Sequence, residues 1–193
     1  MSLQPTTPHN SAKIIILSAL PQSGKDSLAD HCVSKLGLVK VEFKEALHHD
    51  AARLLGIPLQ TWLDNYTNES KDLPNLKVPF FKEPISARRW LQFVSEDIMK
   101  PRFGRRFYGF QLGHKLDTMP NDTFICSDGG FPEELDALRH MGYTPIVLRI
   151  YRDACRSVSD TRVLLPADYN ILNNDSLERF LDLGLEVVMD LLR

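Results

Sequence analysis

The chain has 193 residues, 43% of them apolar and 25% charged, which is the composition of one globular domain with a buried core. Its formal net charge of −2 provides no overall positive field, so nucleic acid is not an expected partner. The 3 cysteines lack the spacing of a zinc site or a disulfide framework, and no apolar run reaches the roughly 20 residues of a membrane-spanning helix. We therefore expect a cytoplasmic protein that acts on a small molecule and has no membrane partner.

The first part of the chain alternates strands and helices. The apolar run KIIILSA, residues 13–19, predicts a strand buried on both faces, and helical spacing follows from Lys25 to Gly37. LVKVEF predicts a second strand, and KEALHHDAARLLG predicts a helix that ends at Gly56. This order indicates an α/β sandwich with right-handed crossovers. The polar residues 1–12 before it are predicted to form a flexible tail.

The next part of the chain breaks the alternation. Residues 57–84 contain 4 prolines and are predicted to form an ordered but irregular segment over the sheet edge, with a flexible flap as the alternative. SARRWLQFVSEDIMK predicts a helix capped by Ser86 and stopped by Pro101, and RFYGFQLGHKL predicts another helix. Trp62 and Trp90 are expected to be packing residues.

The remainder of the chain returns to alternating elements. TFICSD and TPIVLRIYR predict two more strands, separated by the helix PEELDALRHMG, which has a proline in its first turn. DYNILN predicts a fifth strand, and residues 176–193 have the apolar spacing of a last helix. We predict one α/β domain whose sheet has about five parallel strands.

The junction between the first strand and the first helix carries a candidate phosphate-binding loop. SALPQSGKDS, residues 18–27, nearly matches the pattern G-x-x-x-x-G-K-[ST], but Ala19 replaces the first glycine and Asp26 replaces the metal-binding Ser or Thr. A strand before the loop and a helix after it favour an anion site of backbone N–H groups, with the lysine reaching the β- and γ-phosphates. The alternative is an ordinary turn with an exposed lysine. The predicted nucleotide-binding residues of this loop are Gln22, Ser23, Gly24, Lys25, Asp26 and Ser27.

Four motifs resemble those of the bacteriophage deoxynucleoside monophosphate kinases. SGKDS resembles their G-K-D-[ST] loop, and SARRWLQFVSEDIM is similar to their T-P-R-E-x-L-Q helix. FICSDGGFPEELDALRHMGYTPIVLRI is similar to their strand–D-x-R-F-P-x-E–helix–strand unit, although Gly130 replaces the family's arginine. ADYNILNNDSLERF is similar to the ending D-x-x-I-x-N-D-G-[ST]-L-E-x-[LF], which these enzymes share with other small-molecule kinases. The motifs occur in the family's order across most of residues 13–181.

The resemblance implies a P-loop NTPase three-layer sandwich over residues 13–193, with an acceptor-binding helical region at 57–118 and a short lid at 152–166. The implied reaction moves the γ-phosphate of ATP onto a (deoxy)nucleoside 5′-monophosphate with Mg²⁺ as cofactor, in the host-cell cytoplasm if a bacteriophage encodes the protein. A kinase of another small acceptor, such as dephospho-coenzyme A, and a nucleotide-binding module without catalysis stay open as alternatives. A homodimer is also left open.

Phosphoryl transfer needs cations that hold two anionic substrates in line, so arginines outside the loop are expected. Arg88 matches the arginine of the family's helix and is expected to grip the acceptor phosphate. Asp128 ends a strand at the edge where open α/β sheets bind ligands, and it can hold Mg²⁺ through water. The predicted catalytic residues are Lys25, Arg88, Asp128, Arg156 and Arg162. Arg152 is predicted to bind the nucleotide, and Asp26, Ser27 and Asp128 are predicted to bind the metal.

Overall fold

The computed structural model describes residues 12–119, 123–155 and 165–193. Most of the predicted tail, residues 1–11, lies outside this range, whereas Ala12 is buried and its carbonyl accepts a hydrogen bond from the Thr144 N–H at 3.0 Å. One parallel sheet has the strand order β2-β3-β1-β4-β5. Its strands are β1 (Lys13–Ala19), β2 (Val39–Val41), β3 (Thr123–Cys126), β4 (Thr144–Tyr151) and β5 (Tyr169–Leu172).

Helices follow the strands and also fill the middle of the chain. Those in the described residues are α1 (Lys25–Leu36), α2 (Lys44–Leu55), α3 (Leu59–Asp64), α4 (Ala87–Phe93), α5 (Lys100–Phe103), α6 (Phe107–Asp117), α7 (Pro132–His140) and α8 (Leu177–Leu192). A π-helical turn, Val94–Met99, joins α4 to α5, and a short 3-10 turn, Asp153–Cys155, follows β4.

The sheet is covered on both faces, and the alternation of side chains along β1 shows how. Ile14 and Ile16 point into a core that contains residues of α6 and α7, whereas Ile15 and Leu17 point into a core that contains residues of α1 and α8. All four side chains are 0% exposed, which explains why this strand is a continuous apolar run. The predicted three-layer α/β sandwich with about five parallel strands is confirmed.

A third hydrophobic cluster lies apart from the two faces of the sheet. It joins α2, α3 and α4, and its largest members are Trp62 and Trp90, which are 2% and 1% exposed. The expectation that both tryptophans are packing residues is confirmed. The segment 57–84 contains the unpredicted helix α3, and an antiparallel bridge between Leu76 and Ile85 orders its second half.

The prediction that Pro101 stops its helix is wrong. The helix that starts at α4 continues through the π-helical turn into α5, and Pro101 lies in the first turn of α5. Proline is accepted in a first turn because the N–H that it lacks has no necessary partner there, and the π-helical turn changes the bonding pattern just before it. The predicted cap is present, since the Ser86 hydroxyl accepts a hydrogen bond from the Arg89 N–H at 3.1 Å.

None of the helices in the described part of the chain is long and apolar enough to cross a bilayer.

Candidate active site

The carboxyl ends of the five strands bring the chemically interesting residues to one edge of the sheet. β1 leads into the candidate phosphate-binding loop, residues 18–27, which is called the P-loop below. The strands on either side of β1, β3 and β4, lead to Asp128 and Arg152. The outer strands β2 and β5 lead to Lys44 and Asn173. Ligands of open parallel sheets bind at this edge, so the P-loop and its neighbouring strand ends form the candidate site.

The P-loop has the backbone conformation that an anion site needs. Gln22 has a φ of 64° and is the one residue other than glycine with a positive φ in the described ranges, and Gly24 has a φ of 92°. The Leu28 N–H donates to the Gly24 carbonyl at 3.0 Å, so the helix begins directly after the glycine. The N–H groups of the preceding helical residues have no acceptor within α1, and a phosphate oxygen can take that place.

Asn173 fixes the P-loop from the neighbouring end of β5. Its Nδ2 donates to the Ser23 carbonyl at 2.9 Å, while its own N–H donates to the Tyr151 carbonyl at 2.7 Å. A Cβ on Gly24 would lie 2.7 Å from the same Nδ2 and 3.0 Å from the Phe180 ring. Glycine is therefore required at position 24 both for its positive φ and for this close approach.

The three residues after Gly24 present their polar groups at the mouth of the loop. The Lys25 side chain is 19% exposed, and its Nζ lies 3.8 Å from the Asp26 Oδ2. The Asp26 side chain is 61% exposed and Ser27 is also exposed. A carboxylate and a hydroxyl thus flank the lysine on the solvent side, where a phosphate-bound cation could reach both.

A cavity of about 280 Å³ joins the P-loop to the ends of β4 and β5. Arg152 closes one side, and its Nη1 donates to the Gln22 carbonyl at 2.9 Å. Ser23 lies beneath the surface at 1% exposure, and its hydroxyl has no hydrogen-bond partner among the described residues. The residues that line the cavity are Gln22, Gly24, Lys25, Asp26, Ser27, Arg152, Asn173, Asp175 and Leu177.

Asp128 is held in a fixed orientation at the end of β3. Its Oδ2 accepts the Lys44 N–H at 2.8 Å, and its Oδ1 accepts the Cys126 thiol at 2.9 Å. Burial and the neighbouring carboxylate raise the pKa of the Cys126 thiol well above its usual value, so the sulfur stays protonated and remains a donor. Each carboxylate oxygen keeps a further lone pair for a ligand.

Lys44 was not among the residues predicted from the sequence. Its Nζ lies 3.4 Å from the Glu42 Oε1. Burial alone would lower the pKa of Lys44, but the carboxylates of Glu42, Asp128 and Asp26 outweigh it and raise that pKa. The bond from its backbone N–H to Asp128 places Lys44 at the end of β3. Its place directly after a strand, at the ligand-binding edge, is the signal that could have identified it.

The structure explains the glycine that replaces the family's arginine. Gly130 has a φ of 41°, and a Cβ there would lie 2.7 Å from the ring of Phe43, which is itself 4% exposed. Phe43 therefore fills the space that a side chain at position 130 would need.

Arg88 lies at the start of α4 and contacts Asp72. Its Nε donates to the Asp72 Oδ1 at 2.5 Å, and its Nη2 donates to the Oδ2 at 3.1 Å. Both side chains are exposed, with 44% of Arg88 and 58% of Asp72 accessible. The guanidinium is therefore accessible to a ligand, although Asp72 already takes two of its donors. Arg156 and Arg162, the other two predicted catalytic arginines, lie outside the described residues.

Known structures include kinases with partial likeness to this chain. Dephospho-CoA kinase from Campylobacter jejuni has a TM-score of 0.49 and 15% identity, covering 94% of this chain and 97% of its own. APS kinase from Mycobacterium tuberculosis, in complex with AMPPNP and APS, has a TM-score of 0.48 and 13% identity, covering 94% and 98%. Shikimate kinase from Acinetobacter baumannii, in complex with shikimate, has a TM-score of 0.42 and 14% identity, covering 94% of this chain and 93% of its own.

No family model matches the sequence. A curated relative is the uncharacterized protein ORF77 of Ictalurid herpesvirus 1 (strain Auburn), which is 27% identical over 128 residues. The match covers 66% of this chain and 46% of the viral protein, so it spans less than half of that relative's length.

Proposed function

We propose that this protein is an ATP-dependent phosphotransferase that moves the γ-phosphate of ATP onto a (deoxy)nucleoside 5′-monophosphate. The observation that carries the proposal is the pairing of two features at one sheet edge. The P-loop presents Lys25 and free helix N–H groups, and the Asp128 carboxylate is fixed on the adjacent strand end. Oriented cations and N–H groups beside a carboxylate are what phosphoryl transfer requires.

The cavity at the P-loop is suited to the donor nucleotide. Its P-loop wall supplies N–H groups and the Lys25 ammonium for the phosphates. Its other wall combines the planar guanidinium of Arg152, the apolar side chain of Leu177 and the carboxylate of Asp175. A nucleobase could stack between the first two and donate from an amino group to the third. A volume of about 280 Å³ leaves the end of the ligand in solvent.

The oxygen donors at this edge fit Mg²⁺. Asp26, Ser27 and Asp128 offer two carboxylates and a hydroxyl, which are hard ligands of the kind that Mg²⁺ prefers. In the described ranges, no three or more His, Cys, Asp or Glu side chains form a group that could hold a metal alone. A nucleotide-bound Mg²⁺ needs only one or two protein carboxylates, because phosphate oxygens and water complete its shell. When bound, the ion would neutralise charge on the β- and γ-phosphates.

In the reaction an oxygen of the acceptor phosphate attacks the γ-phosphorus, the bond to the β–γ bridging oxygen breaks, and ADP leaves. The attacking oxygen is already anionic, so no side chain has to remove a proton. Lys25 holds the transferred group from the donor side, and Arg88 holds the acceptor phosphate. Arg156 and Arg162 would add positive charge from the lid proposed at residues 152–166. This arrangement lowers the barrier through position and charge.

The test is ADP release from ATP and Mg²⁺ with the four common dNMPs, the four common NMPs and dephospho-coenzyme A as acceptors. We expect turnover with at least one monophosphate. Lys25→Ala should lower kcat by roughly a hundredfold to a thousandfold, the loss typical of one transition-state charge contact. Lys35→Ala is the matched control, because Lys35 is an exposed lysine at the other end of α1. Arg88→Ala should raise the KM of the acceptor more than the KM of ATP.

Three results would contradict parts of this proposal. ATP binding without turnover on any acceptor would identify a nucleotide-binding module and end the enzymatic proposal. Turnover with dephospho-coenzyme A alone would keep the phosphotransferase and replace its acceptor. An Arg88→Ala variant with equal effects on both substrates would remove Arg88 from the acceptor site.

A further inference from the structure

The loop between β5 and α8 is fixed by three of its four side chains. The Asn173 side chain bonds to the P-loop, as described above. The Asn174 Nδ2 donates to the Asp153 Oδ2 at 2.8 Å, and the Asn174 Oδ1 accepts the Asp153 N–H at 2.9 Å. The Ser176 hydroxyl caps α8 by accepting a backbone N–H at 3.3 Å. The position of the remaining residue, Asp175, is therefore set by its neighbours and does not depend on its own side chain.

The Asp175 carboxylate lines the cavity at the P-loop and has open hydrogen-bonding capacity. Its Oδ2 lies 3.5 Å from the Arg179 Nε, and the two side chains are 63% and 77% exposed, so this ion pair is a weak surface contact. Within residues 12–119, 123–155 and 165–193, no N–H or O–H group donates a hydrogen bond to this carboxylate. An ionised carboxylate only accepts hydrogen bonds, through two oxygens that lie side by side. Asp175 is thus suited to a ligand edge that carries two adjacent donors.

The other walls of the cavity define where such an edge would lie. The Arg152 guanidinium is held in place by its bond to the Gln22 carbonyl, and Leu177 is 59% exposed in the first turn of α8. A flat heterocycle between these two side chains would stack on the guanidinium and cover the leucine. Asp175 precedes Leu177 by two residues, so its carboxylate would lie at the edge of that ring.

We propose that Asp175 makes the cavity at the P-loop selective for guanine nucleotides over adenine nucleotides. Guanine presents its N1–H and its N2 amino group side by side, and both can donate to one carboxylate. Adenine presents its N6 amino group beside the N1 lone pair, so one carboxylate oxygen would face an acceptor. The inference rests on the proposed function in one respect, namely that the phosphates occupy the P-loop. GTP would then serve as the γ-phosphate donor in the same transfer step.

The test measures the dissociation constants of GDP, IDP and ADP by isothermal titration calorimetry with Mg²⁺, which needs no turnover. IDP lacks the N2 amino group of GDP and keeps N1–H, so it isolates one of the two hydrogen bonds. We expect GDP to bind the unaltered protein at least roughly tenfold more tightly than ADP, with IDP between them, because each lost bond to a charged acceptor weakens binding.

Two variants assign this preference to Asp175. Asp175→Asn should reduce the ratio of the ADP and GDP dissociation constants to less than about threefold, because an amide presents one acceptor and one donor. It should bind ADP at least as tightly as the unaltered protein does, which shows that the P-loop is intact. Glu178→Gln is the matched control, because Glu178 is an exposed carboxylate in the first turn of α8 that does not line the cavity. This control should keep the ratio of the unaltered protein.

The outcomes for this inference and for the proposed function differ. Equal binding of the three diphosphates, tighter binding of ADP, or the same change of ratio in Glu178→Gln would overturn the role of Asp175 even if the kinase is active. Guanine selectivity that disappears in Asp175→Asn, without turnover on any acceptor, would keep the inference and refute the kinase. If none of the three diphosphates bound, both would be overturned, because the P-loop would not hold phosphates.

Discussion

Two buried titratable groups should give this protein opposing pH dependences of stability that nearly cancel. His48 is 6% exposed, and its Nδ1 accepts the Trp62 indole N–H at 2.8 Å. Burial first, then the charges of Lys44 and His49, lower the pKa of His48 to about 4. Because the unfolded chain binds a proton near pH 6.5, His48 stabilises the fold fully above that pH, and the contribution is lost as the pH falls towards 4.

Glu134 acts in the opposite direction. It is 3% exposed in the first turn of α7, where its Oε2 accepts the Phe131 N–H at 2.8 Å. Burial raises the pKa of Glu134 to about 7. The folded state therefore binds the extra proton between pH 4.5 and 7, and stability is lost as the pH rises through this range. The difference between folded and unfolded pKa values corresponds to roughly 3 kcal/mol for each group.

The measurement is the free energy of unfolding in urea at pH 4.5, 5.5, 6.5 and 7.5. His48→Asn keeps an acceptor for the tryptophan N–H but removes the titration, so its stability should fall as the pH rises. Glu134→Gln keeps an acceptor for the Phe131 N–H, so its stability should rise with pH, and the unaltered protein should lie between the two. The free energies of unfolding of the two variants should change in opposite directions, by up to roughly 3 kcal/mol each across the range, and that of the unaltered protein should change little. If the free energy of unfolding changed with pH in the same way in all three proteins, the assigned burial of both groups would be refuted.

Two further predictions concern the loop and the packing of the helices. Asn173→Ala removes the hydrogen bond to the Ser23 carbonyl, so we expect a KM for ATP raised about fivefold to tenfold with the melting temperature nearly unchanged, measured by ADP release and thermal unfolding. A larger effect on the acceptor than on ATP would contradict this placement of the loop. Gly109→Ala puts a Cβ 2.4 Å from the Glu134 carbonyl, and it should lower stability by about 1–3 kcal/mol in urea unfolding. In Gly113→Ala the new Cβ meets the flexible side chain of Met141, so the loss of stability should be smaller. Equal losses of stability in the two variants would show that the spacing between α6 and α7 adjusts freely.

The strands and the helices that cover the sheet could be predicted because each has a recognisable residue pattern within its own stretch of sequence. A run such as residues 13–19 is apolar throughout because the strand is covered on both faces, and Gly37 and Gly56 end their helices with positive φ values of 69° and 67°. The prediction at Pro101 was wrong because the helix accepts this proline directly after a π-helical turn. No residue pattern indicates such a turn. The short helix α3 was missed because six residues are too few to show helical periodicity.

The candidate site could be predicted in part for the same reason. The P-loop is contiguous in sequence, so its residues could be named together before the fold was known. Lys44 could not be predicted in the same way, because it belongs to the site only through its contact with Asp128, 84 residues away in sequence. The fit of Phe43 against Gly130 is equally invisible in the sequence, because the two residues are 87 positions apart.

The hydrophobic cluster around Trp62 and Trp90 affects how the sequence of such a protein can change in evolution. The helices α3 and α4, of which α4 carries Arg88, share a hydrophobic core that is separate from the two cores on the faces of the sheet. Substitutions inside that core can shift α4 and its Arg88 by small helix movements while the packing beneath the loop of residues 18–27 is preserved. If the proposed function is correct, acceptor preference can change by this route without a loss of ATP binding.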